Sequence, residues 1–290
     1  MNKYIIAIIL ILLIIIFIIL FLYSHNNIYL IERIYPKNKI NNILNSIERK
    51  FSKKYPLNDN FFTIKHYPKY LDFFSKFKSY KYYIYIEKNK ILGTCCFAKF
   101  NNINATYICD LKSLVNGKNL TYYFFKNYFL NNFNFKVFGI TMQPNPIINK
   151  LKNKYFFKEY DILNLFEIEY TQILQNINIF YNYFGEFNFC YGNKILNIYD
   201  KNNNYIENKK IIHIYRLNNK LNKLNELNKN NNIKINLNDK IMFCVPYKHI
   251  FNILLKKKNI KPINKMSIIG FGIKIGQDIK NFEFIETYMI

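Results

Sequence analysis

Residues 4–23 form an uninterrupted apolar run that constrains the rest of the chain more than any other feature of the sequence. The run is YIIAIILILLIIIFIILFLY and contains no charged residue. Because a helix rises about 1.5 Å per residue, a run of this length crosses the roughly 30 Å hydrocarbon core of a bilayer. No small-x-small cleavage site follows it, so the pattern favours an uncleaved transmembrane helix over a signal peptide. Residues 24–290 then remain for one large domain or two small ones.

The basic residues around this run predict its orientation. Lys3 lies before the run, whereas several basic residues follow it closely: Arg33, Lys37, Lys39, Arg49 and Lys50. Since short segments rich in Lys and Arg stay on the cytoplasmic side of a membrane, the sequence predicts a single-pass membrane protein whose large domain lies in the cytoplasm. In this prediction the membrane is a partner through residues 4–23.

The five cysteines lie within or beside apolar stretches, at positions 95, 96, 109, 190 and 244. Their number is odd and no CxxC pair occurs, which indicates buried thiols in a reducing compartment rather than a disulfide framework. The four histidines are scattered along the chain. The sequence therefore predicts no metal site.

The formal charge of +24, from 42 Lys and Arg against 18 Asp and Glu, is high enough to raise nucleic acid or anionic lipid as a partner. Almost all of the basic residues are Lys, however, and Asn, Ile, Tyr and Phe are abundant with them, which is the composition that AT-rich codons produce. The charge alone thus predicts no specific nucleic-acid partner. The abundance of Ile, Leu, Phe and Tyr also argues against a disordered chain.

Residues 24–170 show a helical pattern followed by strands and helices. The spacing of Ile40, Ile43, Leu44 and Ile47 predicts a helix, and residues 24–57 are interpreted as a stalk leading into it. From residue 58 onward the predicted order is strand FFTIKHY, short helix PKYLDFFSKF, two strands around a turn at 87–90, strand ATYICDLKSL, a loop with one Gly, helix 121–130, strand 135–142, helix 146–154 and strands within 157–170. A meander that leads into such a series indicates an α/β fold with a mixed sheet.

Residues 171–290 repeat this order of elements and are interpreted as a second α/β half. The predicted elements are strands FNFCYG, KILNIYD and KKIIHIYRL with turns at Gly192 and 201–204, helix LNKLNELNKN, strand KIMFCVP, helix HIFNILLKKKN, and strands MSIIGFGIKI and FEFIETYMI. The alternative is an unrelated α+β extension that packs on the first domain.

Three short segments within residues 58–170 are Glu87 with KILG at 90–93, CDLK at 109–112, and the series Asn145, Ile148, Leu151, Lys154 and Phe157. Together they resemble the GNAT superfamily of acyl-CoA N-acyltransferases. Glu87 and the residues KILG at 90–93 are similar to the family's acidic residue followed by Lys-Ile-Val-Gly. Residues 109–112, CDLK, resemble the end of the strand whose backbone binds pantetheine in the family. The spacing of the family's late helix is similar to that of Asn145, Ile148, Leu151, Lys154 and Phe157. The repeated order in 171–290 then indicates a degenerate second GNAT-like half, as in tandem GNAT proteins.

The resemblance implies acetyl-CoA or another acyl-CoA as co-substrate, and no metal. In the family, a loop and the start of the next helix bind the pyrophosphate through backbone N–H groups, at the positive end of the helix dipole. The residues implied for acyl-CoA binding are Leu111, Ser113, Asn116, Gly117, Lys118, Asn119, Leu120, Thr121 and Asn145. Three of them replace the Arg, Gly and Gly or Ala of the family pattern: Asn116, Asn119 and Thr121.

Acyl transfer needs a base that takes a proton from the amine and an acid that protonates the departing thiolate. Asp110, near the end of the strand that resembles the pantetheine-binding one, is the candidate base, and Glu87 in the predicted hairpin turn is the alternative. The acid in many relatives is a Tyr in the late helix, and Lys152 stands at that position here. Tyr155, three residues further on, is therefore the candidate acid.

These features predict a membrane-anchored, acyl-CoA-dependent N-acyltransferase that transfers an acyl group from a CoA thioester to an amine, such as a protein N-terminus or a lysine. The alternative is a catalytically inactive GNAT-like binding or scaffold protein tethered to a membrane. Lys152, Asn119 and Thr121 favour this alternative because they differ from the family pattern.

Overall fold

The computed structural model describes residues 27–290 with gaps, and several predicted features lie outside the described residues. The gaps are 52–53, 58–59, 67, 102, 116–118, 133–135, 145–150, 154–156, 218–232, 281, 283–284, 286 and 288–290. The apolar run at 4–23 and the predicted helix LNKLNELNKN lie outside the described residues, as do Asn116, Gly117, Lys118, Asn145 and Tyr155. Within the described part of the chain, no helix is both long and apolar enough to cross a bilayer.

The strands of the described residues form one twelve-stranded sheet. Strands β1–β12 are Ile28–Leu30, Tyr55–Leu57, Asn60–His66, Ser79–Glu87, Lys90–Lys99, Thr106–Ser113, Val137–Met142, Lys158–Glu169, Phe187–Tyr199, Tyr205–Arg216, Lys240–Pro246 and Asn264–Phe271. Their order across the sheet is β1-β4-β5-β6-β7-β12-β8-β11-β10-β9-β3-β2. Two arms thus flank the central pair of β12 and β8: a first arm of β4–β7 and a second arm of β11, β10, β9 and β3.

The two arms have the same arrangement of parallel and antiparallel strands. In the first arm β4, β5 and β6 are antiparallel and β7 runs parallel to β6. In the second arm β3, β9 and β10 are antiparallel and β11 runs parallel to β10. The central strands pair with the arms and with each other in antiparallel fashion. The predicted α/β fold with a mixed sheet is therefore confirmed.

Strands from distant parts of the chain complete the sheet. β3 precedes the first arm in sequence but pairs with β9 of the second arm, and β12 inserts between β7 and β8. An unpaired strand edge exposes a row of backbone N–H and C=O groups, so these exchanges give partners to edges that each arm alone would leave open. The segments 58–170 and 171–290 share this one sheet, and the boundary between them stays a prediction.

Helices cover both faces of the sheet. Helices α1–α6 are Ile31–Ile34, Lys37–Lys50, Leu120–Asn132, Tyr170–Gln175, Ile177–Phe184 and Ile250–Lys257, and a 3₁₀ helix spans Tyr70–Lys76. The helices predicted around Ile40, at 121–130 and at HIFNILLKKKN are confirmed as α2, α3 and α6. α4 and α5 have no counterpart among the sequence predictions.

Alternation along the strands divides the buried side chains between the two faces. In β5, Cys95 and Phe97 pack under α3, whereas Cys96 and Ala98 face the opposite side. That opposite side carries a core shared by both arms, covered by α2 and the 3₁₀ helix, and a further core lies under α4–α6. Residues 28–50 contribute buried side chains to these cores and so belong to the folded domain.

All five cysteines are free, and all except the half-buried Cys109 are buried, as predicted.

Two strand predictions in the second half are wrong. β9 runs without interruption from Phe187 to Tyr199 instead of turning at Gly192. A Cβ at Gly192 would lie 2.5 Å from Nε2 of His213 on β10, so this glycine makes room for an imidazole ring. At the carboxyl end, the described residues of the predicted strand FEFIETYMI, which are 282, 285 and 287, are not in a strand.

Gly93 on β5 lies where the start of α3 crosses the sheet. A Cβ there would meet Cδ1 of Leu120 at 2.6 Å and the backbone oxygen of Lys112 at 2.8 Å. Since that oxygen belongs to the neighbouring strand and cannot move aside, we expect Gly93→Val to lower the free energy of unfolding by about 1–3 kcal/mol, measured by urea denaturation. Lys90→Ala, at the exposed start of the same strand, is the control and is expected to change it by less than about 0.5 kcal/mol. Equal stability of the two variants would speak against this close packing.

Candidate functional site

β6 and β7 separate halfway along their length. Three residue pairs join them: Thr106 with Val137, Tyr107 with Phe138 and Ile108 with Gly139. Beyond these pairs β6 continues to Ser113 and β7 to Met142, and the described residues show no further pairing between the two strands. A gap therefore opens through the sheet beside β6, the strand that contains the pantetheine-strand-like residues 109–112.

A β-bulge in β6 accounts for this separation. Two residues of β6, Asp110 and Leu111, lie opposite the single residue Cys95 of β5. Asp110 has a φ of 53°, in the left-handed region that residues other than glycine rarely adopt. Bulges bend the strand that carries them, and this one follows directly after the last pair with β7.

A cavity of about 240 Å³ lies at the gap. On the side of α3 its lining is apolar: Phe125, Leu151, Phe157 and Ile269. On the side of α2 and the 3₁₀ helix it carries charged and titratable groups: Glu48, His66, Asp110, Lys112 and Lys194. The cavity thus crosses the sheet and joins an apolar side to a polar one.

Asp110 binds three side chains on the polar side of the cavity. Its carboxylate accepts a hydrogen bond from the hydroxyl of Tyr70 at 2.5 Å, and further ones from Tyr82 and from the ammonium of Lys112. Burial alone raises the pKa of Asp110, but the charge of Lys112 and the hydrogen bonds from Lys112 and Tyr70, with smaller effects of other neighbours, outweigh burial, so the pKa lies below its ordinary value. Asp110 lines the cavity as expected of the candidate base, yet its oxygens are occupied and its affinity for a proton is reduced.

Glu48 and His66 form a second pair on this side of the cavity. Nδ1 of His66 lies 2.6 Å from Oε1 of Glu48, and the backbone N–H of His66 donates to Oε2 at 2.9 Å. The other ring nitrogen, Nε2, has no hydrogen-bond partner among the described residues. We assign the tautomer from this geometry: Nδ1 carries the proton and donates it to Glu48, which leaves a lone pair on Nε2.

The surroundings of His66 keep its ring uncharged. Burial lowers the pKa of His66 well below its ordinary value, and the charges of Lys112, Lys194 and Lys76 lower it further, against the opposite effect of Asp110. Burial also raises the pKa of Glu48, against the effect of Lys112. A neutral imidazole whose Nε2 has a lone pair without a hydrogen-bond partner is the form in which histidine accepts a proton.

The described residues among those implied for acyl-CoA binding lie at the end of β6 and around the start of α3. Leu111 lines the cavity, and the hydroxyl of Ser113 donates to the backbone oxygen of Val115 at 2.7 Å. α3 begins at Leu120, so Asn119 precedes the helix and Thr121 lies in its first turn, not at the N-cap. The side chain of Leu120 is buried, which leaves only its backbone for a ligand.

The late helix is described only at residues 151–153, where it meets the cavity. Leu151 contributes to the apolar lining. Lys152, at the position of the family's Tyr, donates from Nζ to Oε2 of Glu159 at 2.7 Å. The role of Tyr155 as the acid stays a prediction.

Four charged or titratable groups of the cavity were not among the candidates from sequence: Glu48, His66, Lys112 and Lys194. Two of them interrupt an apolar pattern. Glu48 continues the buried face of α2 one turn after Leu44, and His66 follows the alternation of β3. A titratable residue at a buried position of such a pattern is a signal that sequence analysis could have used.

In the second arm two described residues of the same chain, 285 and 287, lie at the corresponding position. The parallel pairing of β10 and β11 ends at His213 and Met242. The hydroxyl of Thr287 lies 2.7 Å from Nδ1 of His213 and donates to the backbone oxygen of Met242 at 3.0 Å. Further along β11, Sγ of Cys244 donates to the backbone oxygen of Ile285 at 3.2 Å. Residues 285 and 287 therefore lie across the point at which these two strands separate.

Comparison with known proteins gives matches in structure. No protein-family model matches the sequence, and no curated protein matches it. A tandem GNAT protein from the clavulanic acid biosynthesis pathway matches with a TM-score of 0.36 and 4% identity, over 68% of this chain and 84% of its own. A candidate acetyltransferase from Pyrococcus horikoshii matches with a TM-score of 0.37 and 12% identity, over 71% of this chain and 76% of its own. A candidate streptothricin acetyltransferase from Bacillus anthracis, in complex with acetyl coenzyme A, matches with a TM-score of 0.28 and 15% identity, over 50% of this chain and 89% of its own.

The order and pairing of the strands in this chain are sufficient to assign the fold. In the first arm a meander is followed by α3, β7, the helical residues 151–153 and β8. In the second, β9 and β10 are followed by β11, α6 and β12. Each series contains a parallel pair that separates, and the two series meet at β8 and β12. This is the architecture that the sequence resemblance implies, a divergent tandem GNAT fold.

Proposed function

We propose that the chain is an acyl-CoA-dependent N-acyltransferase whose thioester binds in the gap between β6 and β7. The observation that carries this proposal is the cavity at that gap, which joins an apolar side to the Glu48–His66 pair. Transfer of an acyl group to an amine uses both parts, since the acyl arm needs an apolar channel and the amine needs a proton acceptor beside the carbonyl carbon.

The residues around the gap suit an acyl-CoA. Beyond Ile108, the edge of β6 faces the gap instead of pairing with β7, and an extended amide chain such as pantetheine pairs with a free strand edge through main-chain hydrogen bonds. α3 begins soon after this strand, and the start of a helix favours phosphate groups. On this side we retain Leu111, Ser113 and residues 116–121 as the acyl-CoA contacts, with acetyl-CoA as the simplest donor.

On the polar side we assign the role of base to His66, in place of Asp110. Nε2 of His66 accepts a proton from the amine as the new C–N bond forms and the C–S bond of the thioester breaks. The departing CoA thiolate then takes up that proton, so that His66 is returned to its neutral form. Glu48 holds the imidazole in the tautomer with Nε2 open. Asp110 keeps Lys112, Tyr70 and Tyr82 in place around the cavity.

Titration with acetyl-CoA tests the binding part of this proposal. We expect isothermal titration calorimetry on the full chain to show one acetyl-CoA per chain. Gly139 lines the gap, and a Cβ there would lie 3.2 Å from the backbone oxygen of Ile108. Gly139→Val is therefore expected to raise the dissociation constant at least about tenfold, which corresponds to about 1.4 kcal/mol. Met242→Leu, at the matching position of the second arm and of similar volume, is the control and is expected to bind normally.

Two results would count against the proposed function. Lack of binding at millimolar acetyl-CoA would remove the acyl-CoA site itself. Normal binding without release of CoA thiol, in the presence of lysine, peptide and polyamine acceptors, would instead favour an inactive GNAT-like binding protein.

We further propose that residues 4–23 anchor the chain in a membrane, with the large domain in the cytoplasm. The length of the run, its lack of charge and the basic residues that follow it support this. We expect the full chain to stay in the membrane pellet after an alkaline carbonate wash and a chain that starts at residue 27 to be released. Equal retention of both chains would refute the anchor.

A further inference from the structure

Lys194 on β9 brings an amine into the cavity beside the proposed base. Its Cα pairs with that of His66 in the antiparallel ladder of β9 and β3, and the side chains of directly opposed residues lie on the same face, about 5 Å apart at Cβ. Both residues line the cavity, and Lys194 is partly exposed. Nζ of Lys194 lies 3.8 Å from the centre of the Phe73 ring. A primary amine thus lies at the polar end of the proposed acyl channel.

The surroundings of Lys194 increase the uncharged fraction of its amine. The titratable groups that act on it or are acted on by it are Glu48, His66, Lys76, Cys109, Asp110, Lys112 and His213. Burial, helped by the charge of Lys112, outweighs Asp110, Cys109 and Glu48 and brings the pKa of Lys194 to about 8. At pH 7.5 roughly a quarter of such groups are uncharged, against about one in a thousand for a lysine of ordinary pKa.

The two neighbouring lysines are less suited to react with an acyl group. Lys112 donates to Asp110 and to Tyr70, and its Nζ lies 3.6 Å from Oε1 of Glu48, so its Nζ is already occupied by hydrogen bonds and lies beside two carboxylates. Lys76 packs its Nζ over the Phe73 ring at 3.4 Å and is not among the residues that line the cavity. Lys194 alone of the three combines a place in the cavity lining with a position opposite His66.

We propose that Lys194 is an autoacylation site, at which the chain acylates itself with an acyl thioester bound in the gap between β6 and β7. Nζ of Lys194 attacks the carbonyl carbon of the thioester, the C–N bond forms and the C–S bond breaks. Nε2 of His66 takes the proton that Nζ loses and passes it to the departing thiolate. The products are an Nε-acyl-lysine at position 194 and a free thiol. This proposal rests on the proposed function, because it takes the same gap as the place of the thioester.

Isotope-labelled acetyl-CoA tests this directly on the full chain. After incubation with deuterated acetyl-CoA at pH 7.5, we expect intact-mass spectrometry to show one labelled acetyl group per chain, and peptide mapping to place it on Lys194 before any exposed lysine is labelled. Lys194→Arg is expected to abolish this early label, and Lys201→Arg, in an exposed turn, is expected to leave it unchanged. Label that first appears evenly over exposed lysines, with none on Lys194, would overturn the proposal. The mapping on the unaltered chain decides the matter even if Lys194→Arg fails to fold.

A truncated thioester separates this inference from the proposed function. S-acetyl-N-acetylcysteamine carries the reactive thioester but lacks the pyrophosphate, so it can reach Lys194 without an acyl-CoA site. Labelling of Lys194 by this compound, without binding of acetyl-CoA in calorimetry, would leave the autoacylation site in place and remove the acyl-CoA-dependent function. Binding of acetyl-CoA without labelling of Lys194 by either thioester would leave the acyl-CoA site in place and remove the autoacylation site.

Discussion

Replacing His66 by Gln is expected to lower kcat/KM for amine acylation by about 10²–10⁴-fold, the usual contribution of a positioned general base. Gln keeps a polar side chain next to Glu48 but cannot take up a proton at the position of Nε2. Acetyl-CoA affinity is expected to stay nearly unchanged, because His66 lies on the polar side of the cavity, away from the apolar lining under α3. Steady-state release of CoA thiol measures the first quantity and calorimetry the second.

His213→Gln is the matched control for this variant. His213 is also a buried histidine with a hydrogen-bonded Nδ1, but its partner is Thr287 in the second arm. We expect this variant to lose stability and to retain kcat/KM per folded chain. An equal loss of kcat/KM in the two variants, or none in His66→Gln, would rule out the assignment of His66 as the base.

The pH dependence of catalysis is expected to follow from the lowered pKa of His66. Because burial and the neighbouring lysines hold the pKa of His66 well below 6.5, Nε2 stays unprotonated through the neutral range. The base is lost only as the pH falls through that lowered pKa, so the acid limb of kcat/KM is expected below pH 6.5. An arylamine acceptor, which is uncharged over this range, keeps the substrate from contributing. An acid limb at or above pH 6.5 that vanishes in His66→Gln would contradict the neutral imidazole.

Replacing Asp110 by Asn is expected to have the largest effect on stability, a loss of about 3 kcal/mol in the free energy of unfolding. The variant removes the negative charge of a buried carboxylate that accepts hydrogen bonds from Lys112, Tyr70 and Tyr82. Breaking one partner of a buried ion pair leaves the other charge uncompensated. We expect the lower end of the usual range because Oε1 of Glu48 remains 3.6 Å from Nζ of Lys112. Urea denaturation at neutral pH measures the change.

A double-mutant cycle separates the ion pair from simple loss of packing. Asp110→Asn combined with Lys112→Met removes both charges, so its loss is expected to be smaller than the sum of the single losses by at least about 1 kcal/mol. Strictly additive losses would show that the pair does not stabilise the fold.

Acid titration checks the sign of the same contribution. The pKa of Asp110 in the folded chain lies below its ordinary value of 3.8, so its stabilising contribution is fully present above that value and is lost as the pH falls through the lowered pKa. The stability of Asp110→Asn is therefore expected to fall less steeply below pH 4 than that of the unaltered chain. A steeper fall in the variant would reverse the assigned sign.

Local features of the fold could be predicted from the sequence, and long-range pairings could not. The hairpin of β4 and β5 follows from two apolar runs on either side of the polar turn at 87–90, in which Lys88 and Asn89 adopt φ values of 48° and 57°. The insertion of β12 beside β7 and the pairing of β3 with β9 join residues far apart in sequence, for which no short pattern carries a signal. The sequence predicts a turn at Gly192 because a glycine between two apolar runs can mark a turn. In the structure the strand continues, and the glycine makes room for His213.

The same distinction applies to the candidate site: a residue in a recognisable segment could be predicted, and residues brought in by long-range packing could not. Asp110 could be predicted because it belongs to a short segment that resembles the GNAT superfamily, and it does line the cavity. Glu48 lies before that segment and Lys194 after it, and only the pairing of β3 with β9 and the packing of α2 bring them to Asp110. In the sequence His66 is one of four scattered histidines, and its neighbour Glu48 is evident only in the folded chain.

Backbone hydrogen exchange of the full chain, with and without saturating acetyl-CoA, tests most directly whether the gap between β6 and β7 binds the thioester. We expect slower exchange in peptides that cover 109–113, 137–142 and the first turn of α3. Peptides that cover 213–216 and 242–246 are expected to be unchanged, because residues 285 and 287 occupy that position in the second arm. Protection confined to β10 and β11, or no protection in either arm, would contradict the placement of the acyl-CoA site in the first arm.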